Sequence, residues 1–439
     1  MSLNLKVLVE PTGQTKKMKF TADMGVGEAI VTIREKTEVG GADFGLFMPA
    51  NLRETNPKWL KDNRTLAAYG LENDDEVHYR KKHKAIRVKL LDGTVKVMLF
   101  DLTLPVVDIV NMVGEKIDLA NAEEYSLQWE NPLPAGPRLD WLQPNKCIEE
   151  QNVKTDNVFL LKKKYFYSDA NISLDDPMGL HLLFVQATDA IISGLHPVMP
   201  AEVCALAALH AQVTEGRFNP EKHVPPYLEL KKYLPPALLK EKGIEKDIMK
   251  EWRKLVGTTE SNAKFKYIQL CRSLKTWGIT TFHCRLTERG AKAKKPPKIL
   301  LGVTRDSVLF MNVETKAIDR TWELRKLRRW AASDTGKSLT LDFGNHENDY
   351  FILMTEESDA ISSLLSGYID IILKARRDAA RIVDDNNEAV ATEETLIQRK
   401  GMAYATTTSI FSPSMNPYAS GDSSGGAAPA SSFFRTNTG

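Results

Sequence analysis

The chain has 439 residues, 42% of them hydrophobic and 26% charged, with a formal net charge of +2. That length exceeds one ordinary core, the composition is that of a soluble globular protein with no run near the ~20 apolar residues of a membrane span, and the charge is too small to imply nucleic-acid binding. Cys147, Cys204, Cys271 and Cys284 form no CxxC pair, so neither a zinc module nor a disulfide framework is indicated, and a reducing cytoplasm fits best.

The start of the chain alternates apolar and polar residues where a signal peptide would show a basic stretch and an apolar block. Strands are expected at 3–9 and 17–20, a helix at 26–36, and short strands after it. The same order then returns, with strands at 86–90 and 95–100 and a helix at 106–117. Landmarks repeat as well: Trp59-Leu60 with Asn63 recurs as Trp141-Leu142 with Asn145, and Asp43-Phe44-Gly45-Leu46 as Glu124-Tyr125-Ser126-Leu127. Two tandem ubiquitin-like α+β modules, 1–83 and 84–166, are the simplest reading.

From residue 167 to 278 the apolar spacing becomes helical, as in Leu180, Leu183, Phe184 and Ala187, then Val203, Leu206, Ala207 and His210. Prolines interrupt the pattern, and further helices are expected at 238–252 and 260–276, giving an all-α bundle. Seven short strands follow at 279–285, 299–304, 308–313, 321–324, 327–331, 339–343 and 350–354. An amphipathic helix then lines up Ile361, Leu364, Leu365, Tyr368 and Ile372. Strands and closing helix, 279–383, describe a β-sandwich of the pleckstrin-homology or phosphotyrosine-binding type. The expected fold class is therefore multi-domain α+β. Residues 384–439, dominated by Ser, Thr, Gly, Ala and Pro toward their end, are expected to be a flexible linker or tail.

No catalytic or cofactor motif survives inspection. Asp43-Phe44-Gly45 and Asp342-Phe343-Gly344 spell the kinase metal-binding tripeptide, but His-Arg-Asp and a Gly-rich phosphate loop are missing, and both read as strand ends. His346-Glu347 has no second histidine at metal-ligand spacing. No enzyme, metal or cofactor is expected.

Two features do carry a signal. Lys240, Lys242, Lys246, Lys250, Arg253 and Lys254 form one basic cluster, and Lys292, Lys294, Lys295 and Lys298 form another. Each can be a solvated face, or together they can hold an anionic leaflet, where a basic residue gains about 1 kcal/mol. No aromatic residues interleave as single-strand nucleic-acid binding requires. Arg328-Arg329-Trp330-Ala331-Ala332 lies on an expected strand; its tryptophan reads either as core or as part of an edge that pairs with an extended peptide.

The order of modules resembles a FERM domain with an extra N-terminal module, as in talins and kindlins. The strings Arg272-Ser273-Leu274-Lys275-Thr276-Trp277-Gly278, Arg329-Trp330-Ala331-Ala332-Ser333, Leu341-Asp342-Phe343-Gly344 and Gly367-Tyr368-Ile369-Asp370-Ile371-Ile372-Leu373 resemble talin heads, and the bundle has no room for a kindlin insert. The resemblance implies binding of integrin-type receptor tails through an Asn-Pro-x-Tyr turn, attachment to acidic phosphoinositide membranes, and linkage to the actin cytoskeleton through a rod that this chain lacks. It places Arg329, Trp330, Ala331, Tyr350 and Ile369 on the tail-binding surface, with Lys295 beside the membrane-proximal part of the tail. Lys16 and Lys36 match positions that meet Rap-type small GTPases, although Val31 replaces an arginine there. Asn345 and Pro296 also depart from the family pattern, standing where an aspartate and a leucine are common. The implied location is peripheral, at the inner face of the plasma membrane, the cell cortex and adhesion sites.

Overall fold

The structure, a computed structural model, describes residues 2–50, 56–133, 136–167, 172–287, 296–333, 335–344, 349–386 and 435–436, with backbone alone for Ala375, for residues 378–386 and for the last pair. It divides into two units, Met1–Lys164 with Ser168–Trp277, and Tyr165–Tyr167 with Gly278–Gly439.

In the first unit, β1 (Ser2–Val9) turns Leu3, Leu5, Val7 and Val9 inward at the two-residue period of a half-buried strand. It is joined by β2 (Gln14–Thr21), β3 (Phe44–Met48), β4 (Lys58–Trp59) and β5 (Glu76–Lys81) in the order β2-β1-β5-β3-β4. Across this sheet lies α1 (Val26–Thr37), which buries Val26, Ala29, Ile30 and Ile33. The next module has β6 (His83–Lys89), β7 (Val95–Asp101), α2 (Val106–Lys116), β8 (Tyr125–Leu133), β9 (Gly136–Trp141) and β10 (Val158–Lys163). Its order, β7-β6-β10-β8-β9, is the same arrangement, and α2 buries Val106, Ile109, Val110 and Val113 at the spacing used by α1. Each sheet contains one parallel pair, β1 with β5 and β6 with β10. Trp59 and Trp141 end the equivalent strands β4 and β9, so the sequence repeat is a repeat of topology.

Arg80 of β5 joins the two modules. Its guanidinium carbon lies 3.8 Å from the Phe47 ring centroid and 4.6 Å from that of Trp59. The same group pairs with the Glu149 carboxylate of the second module and with Glu10 at 3.3 Å. Phe47 and Trp59 belong to the apolar cluster that contains Ile86, Leu142 and Phe159, so the contact is a continuous core capped by a cation on aromatic faces.

The helical lobe is built from α3 (Pro177–Ile192), α4 (Pro200–Thr214), α5 (Ile244–Arg253) and α6 (Glu260–Arg272). Asp176 caps α3 by accepting from the Gly179 N–H at 2.8 Å, and Thr259 caps α6 through Asn262. The helix expected at 238–252 is divided: Gly243 takes φ 79, so Pro236–Leu238 form only a short 3-10 turn and the α-helix starts at Ile244. Trp252, fully buried, stacks on His223 at 4.4 Å and donates to Gln212 Oε1 at 3.0 Å.

Two other histidines are expected to make the stability of this lobe depend on pH. His196 Nδ1 lies 3.0 Å from Thr276 Oγ1, and His210 packs between the rings of Phe184 and Tyr233. Burial pushes both imidazoles down from 6.5 to about 4. Below pH 6.5 the unfolded chain therefore binds protons that the folded chain refuses, so stability is full above that value and falls as pH drops toward 4. The expected loss is about 2–3 kcal/mol per histidine, since one pKa unit corresponds to ~1.4 kcal/mol. Urea titrations at pH 7 and pH 4.5 should show it, and His196→Gln/His210→Gln should flatten it; an unchanged slope in that variant would place the proton uptake elsewhere.

The second unit contains β11 (Thr280–Thr287), β12 (Lys298–Val303), β13 (Ser307–Met311), β14 (Ile318–Glu323), β15 (Arg329–Ala332), β16 (Ser338–Asp342), β17 (Tyr350–Met354), α7 (Ser358–Asn386) and β18 (Arg435–Thr436). The strands form one antiparallel set in the order β14-β13-β12-β11-β17-β16-β15-β18. Helix α7 packs on β15 and β16 and sends Ile361, Leu364, Leu365, Tyr368 and Ile369 into the core. Tyr165 meets Tyr368 edge-on at 5.4 Å, beside Gly367, where any Cβ would collide with the tyrosine ring. Seven strands and the helix match the sandwich read from the sequence; β18 does not, because it falls in the stretch expected to be a flexible tail. The rest of that stretch beyond Asn386 lies outside the described residues.

Candidate peptide-binding edge and basic surfaces

The edge is set by β15. Its register against β16 pairs Arg329 with Asp342, Trp330 with Leu341, Ala331 with Thr340 and Ala332 with Leu339. Ser333 N–H donates to the Ser338 carbonyl at 2.9 Å in the same register. Antiparallel pairing alternates every two residues, so the N–H groups of Arg329 and Ala331 face β16 while those of Trp330 and Ala332 face away from it. On that outer side stands β18, antiparallel, with Thr436 opposite Arg329 and Arg435 opposite Trp330.

The side chains divide by face. Trp330 and Ala331 are each 3% exposed and Ile369 is 6% exposed. The Trp330 ring joins the core cluster of Leu341, Phe351 and Leu365, and its Nε1 finds no acceptor there. Arg329 is half-exposed and bridges to Asp342 Oδ2 through Nη2 at 3.0 Å and Nε at 3.1 Å. Asp342 Oδ1 accepts from the Gly344 N–H at 3.2 Å, and Tyr350 lies opposite Asp342 on β17. Arg329, Asp342 and Tyr350 thus form one row across three strands, ending at Thr436.

The first basic cluster sits on and before α5. Lys240, Lys242, Lys246, Lys250, Arg253 and Lys254 are all exposed. Glu241, Glu245, Asp247 and Glu251 alternate with them, which dilutes the positive field. Lys254 pairs with Glu251 at 2.7 Å, and Arg253 lies over the Phe218 ring. Lys292, Lys294 and Lys295 lie outside the described residues, as do Asn345 and His346-Glu347. Lys16 is exposed on the edge strand β2, and Lys36 on the last turn of α1.

Comparison with known proteins agrees with the module order. Residues 3–81 match a family model for the N-terminal or F0 domain of the talin-head FERM, residues 169–282 the FERM central domain, and residues 284–373 the PTB domain of IRS-1 type. Talin-B of Dictyostelium discoideum is 46% identical over 410 residues, covering 93% of this chain. The chain belongs to the talin heads. Talin-A of the same organism is 44% identical over 91% of the chain, and human Talin-2 is 35% identical over 91%. The chain spans only 15% of the length of Talin-B, 30% of Talin-A and 17% of human Talin-2. The fold is shared more widely: the crystal structure of the FERM and C-terminal domain complex of Drosophila Merlin superposes with a TM-score of 0.55 at 19% identity, covering 67% of this chain and 98% of that one.

In this talin head the sequence-predicted edge residues Arg329, Trp330 and Ala331 share β15, and Tyr350 lies two strands away in the same row. Three of the five predicted contact residues are buried, so what the edge presents is mainly backbone and the Arg329–Asp342 pair. Sequence reading missed Asp342 as the partner of Arg329. It also missed Arg435 and Thr436, whose only signal is the run Phe433-Phe434-Arg435-Thr436 in a tail of small residues.

Proposed function

We propose that this chain is a non-enzymatic adaptor head that links adhesion receptors to the cytoskeleton. It binds the cytoplasmic tail of an integrin-type receptor by strand addition to β15, with an Asn-Pro-x-Tyr turn lying beyond the added strand. The observation that carries the reading is that the outer edge of β15 accepts an antiparallel strand, with the backbone groups of Trp330 directed toward it. Arg329 and Tyr350 offer side chains beside the added strand, Trp330 contributes its outward backbone groups, Ala331 and Ile369 support the edge as buried residues, and Lys295 lies toward the membrane-proximal end of the tail. Lys240, Lys242, Lys246, Lys250, Arg253, Lys254, Lys292 and Lys294 hold the head on acidic phosphoinositides at the inner face of the plasma membrane. Lys16 and Lys36 meet a Rap-type small GTPase, and the connection to actin runs through regions that the longer talins possess beyond this match.

The decisive experiment is a titration of the chain with a labelled tail peptide bearing Asn-Pro-x-Tyr, with and without vesicles containing phosphatidylinositol 4,5-bisphosphate. Ala332→Pro removes an outward N–H and leaves the β15–β16 ladder in place, a change that edge strands tolerate. The variant is expected to bind the peptide at least about tenfold more weakly at unchanged thermal stability, because strand addition draws its affinity from the main chain. Vesicles are expected to strengthen binding to the parent. Vesicle binding without any peptide binding would favour a cortical FERM scaffold instead.

A further inference from the structure

We infer that the segment ending in Arg435–Thr436 is an internal competitor for the β15 edge, so that the chain holds its own receptor-tail site closed. The inference rests on the reading of β15 as that site and names how it is regulated.

An exposed strand edge has room for one added strand. The register sets Arg435 opposite Trp330 and Thr436 opposite Arg329. Because the N–H and C=O of Trp330 point outward, the Trp330–Arg435 pair is the one that exchanges hydrogen bonds, and Arg435 supplies both a donor and an acceptor. A receptor tail added to β15 needs the same two backbone groups. The two strands are therefore mutually exclusive.

Composition favours this occupant. The last acidic residue of the chain is Asp422, and after Pro429 the sequence Ala430-Ser431-Ser432-Phe433-Phe434-Arg435-Thr436 combines aromatic and β-branched residues with one positive charge. Such a segment adds readily to an edge and is not repelled by the Arg329–Asp342 pair, whose charges cancel. Residues 387–434 separate it from α7. Because competitor and edge belong to one chain, their pairing is intramolecular, and a strand that is weak as a free peptide can still compete for the edge. A weak internal strand raises the threshold for a receptor tail without barring it, since a ligand bound only by the open fraction shows an affinity reduced by that fraction.

The test uses the full chain. Arg435→Pro removes the donor that faces Trp330, whereas Arg435→Ala keeps the backbone and changes only the side chain. The Asn-Pro-x-Tyr peptide is expected to bind Arg435→Pro about 3–10-fold more tightly than the parent, and Arg435→Ala close to the parent value. A synthetic peptide of residues 427–439 added to Arg435→Pro should displace the tail peptide. Equal affinity of parent and Arg435→Pro, alongside loss in Ala332→Pro, overturns the internal competitor and leaves the tail site standing. Amide exchange at Trp330 reads the strand without any receptor peptide: protection in the parent that falls in Arg435→Pro supports the proposal, and equal exchange overturns it. If no tail peptide binds any variant, the receptor reading fails, and the Trp330 exchange result still decides whether the strand closes this edge.

Discussion

Trp330→Ala is expected to unfold much of the sandwich before it reports on peptide binding. The ring is 3% exposed, sits among Leu341, Phe351 and Leu365, and lies opposite Leu341 in the β15–β16 register. Deleting a buried tryptophan removes both its transfer free energy and the packing around the hole, at about 3–5 kcal/mol. For a lobe of this size that corresponds to a fall in Tm of more than ~10 °C. Trp330→Phe should be much milder, because phenylalanine fills most of the space and removes an indole N–H that has no acceptor. Thermal unfolding of the three proteins by near-UV circular dichroism checks the order. A Trp330→Ala protein as stable as the parent but unable to bind peptide would mean that the ring serves the ligand and not the core. This is why Ala332→Pro, acting on the outward backbone, is the cleaner probe of the edge.

Much of the architecture was legible because it is written in periodicity. The spacing Val26, Ala29, Ile30, Ile33 returns as Val106, Ile109, Val110, Val113, and each set meets a sheet of the same strand order. Most strands of the sandwich were equally visible, since β11 and β17 bury a face at period two and β12 and β13 are buried along most of their length, whereas β14 buries no residue and was marked only by its β-branched and aromatic composition. The break at Gly243 was missed because Leu238, Leu239, Ile244 and Ile248 continue an apolar rhythm across it, and only the positive φ ends the turn. Long-range pairings leave weaker marks. Arg80 reads as one of several basic residues near the end of β5, yet it closes the joint between modules on Phe47, Trp59 and Glu149. The candidate site was half-legible for the same reason. Its string of residues was recognisable, whereas burial of Trp330 and the backbone pairing of Arg435 depend on which strand neighbours which.

Glu124→Gln is expected to destabilise the first unit by about 3–5 kcal/mol, although it changes one atom type and hardly any volume. Glu124 Oε2 meets Lys163 Nζ at 2.6 Å, with side chains 3% and 6% exposed. At that burial the ammonium was desolvated on folding, and attraction to the carboxylate is what offsets the penalty; a neutral amide leaves the cation with much less compensation. The surrounding backbone makes relaxation difficult. Gln186 of α3 accepts from the Lys163 N–H at 3.0 Å and donates to its carbonyl at 2.9 Å, while Lys164 N–H donates to the Glu124 carbonyl at 2.8 Å. Lys163 also ends β10, the central strand between β6 and β8, so a shift to rehydrate its ammonium would pull on the sheet and on the helical lobe together. Glu124→Gln/Lys163→Met should recover most of the loss, because removing both charges removes the desolvation penalty as well. Chemical denaturation of the parent, the two single variants and the double variant measures the coupling directly. A Glu124→Gln protein within ~1 kcal/mol of the parent would show that water reaches Lys163 and that Gln186, rather than the ion pair, fastens the second module to the bundle.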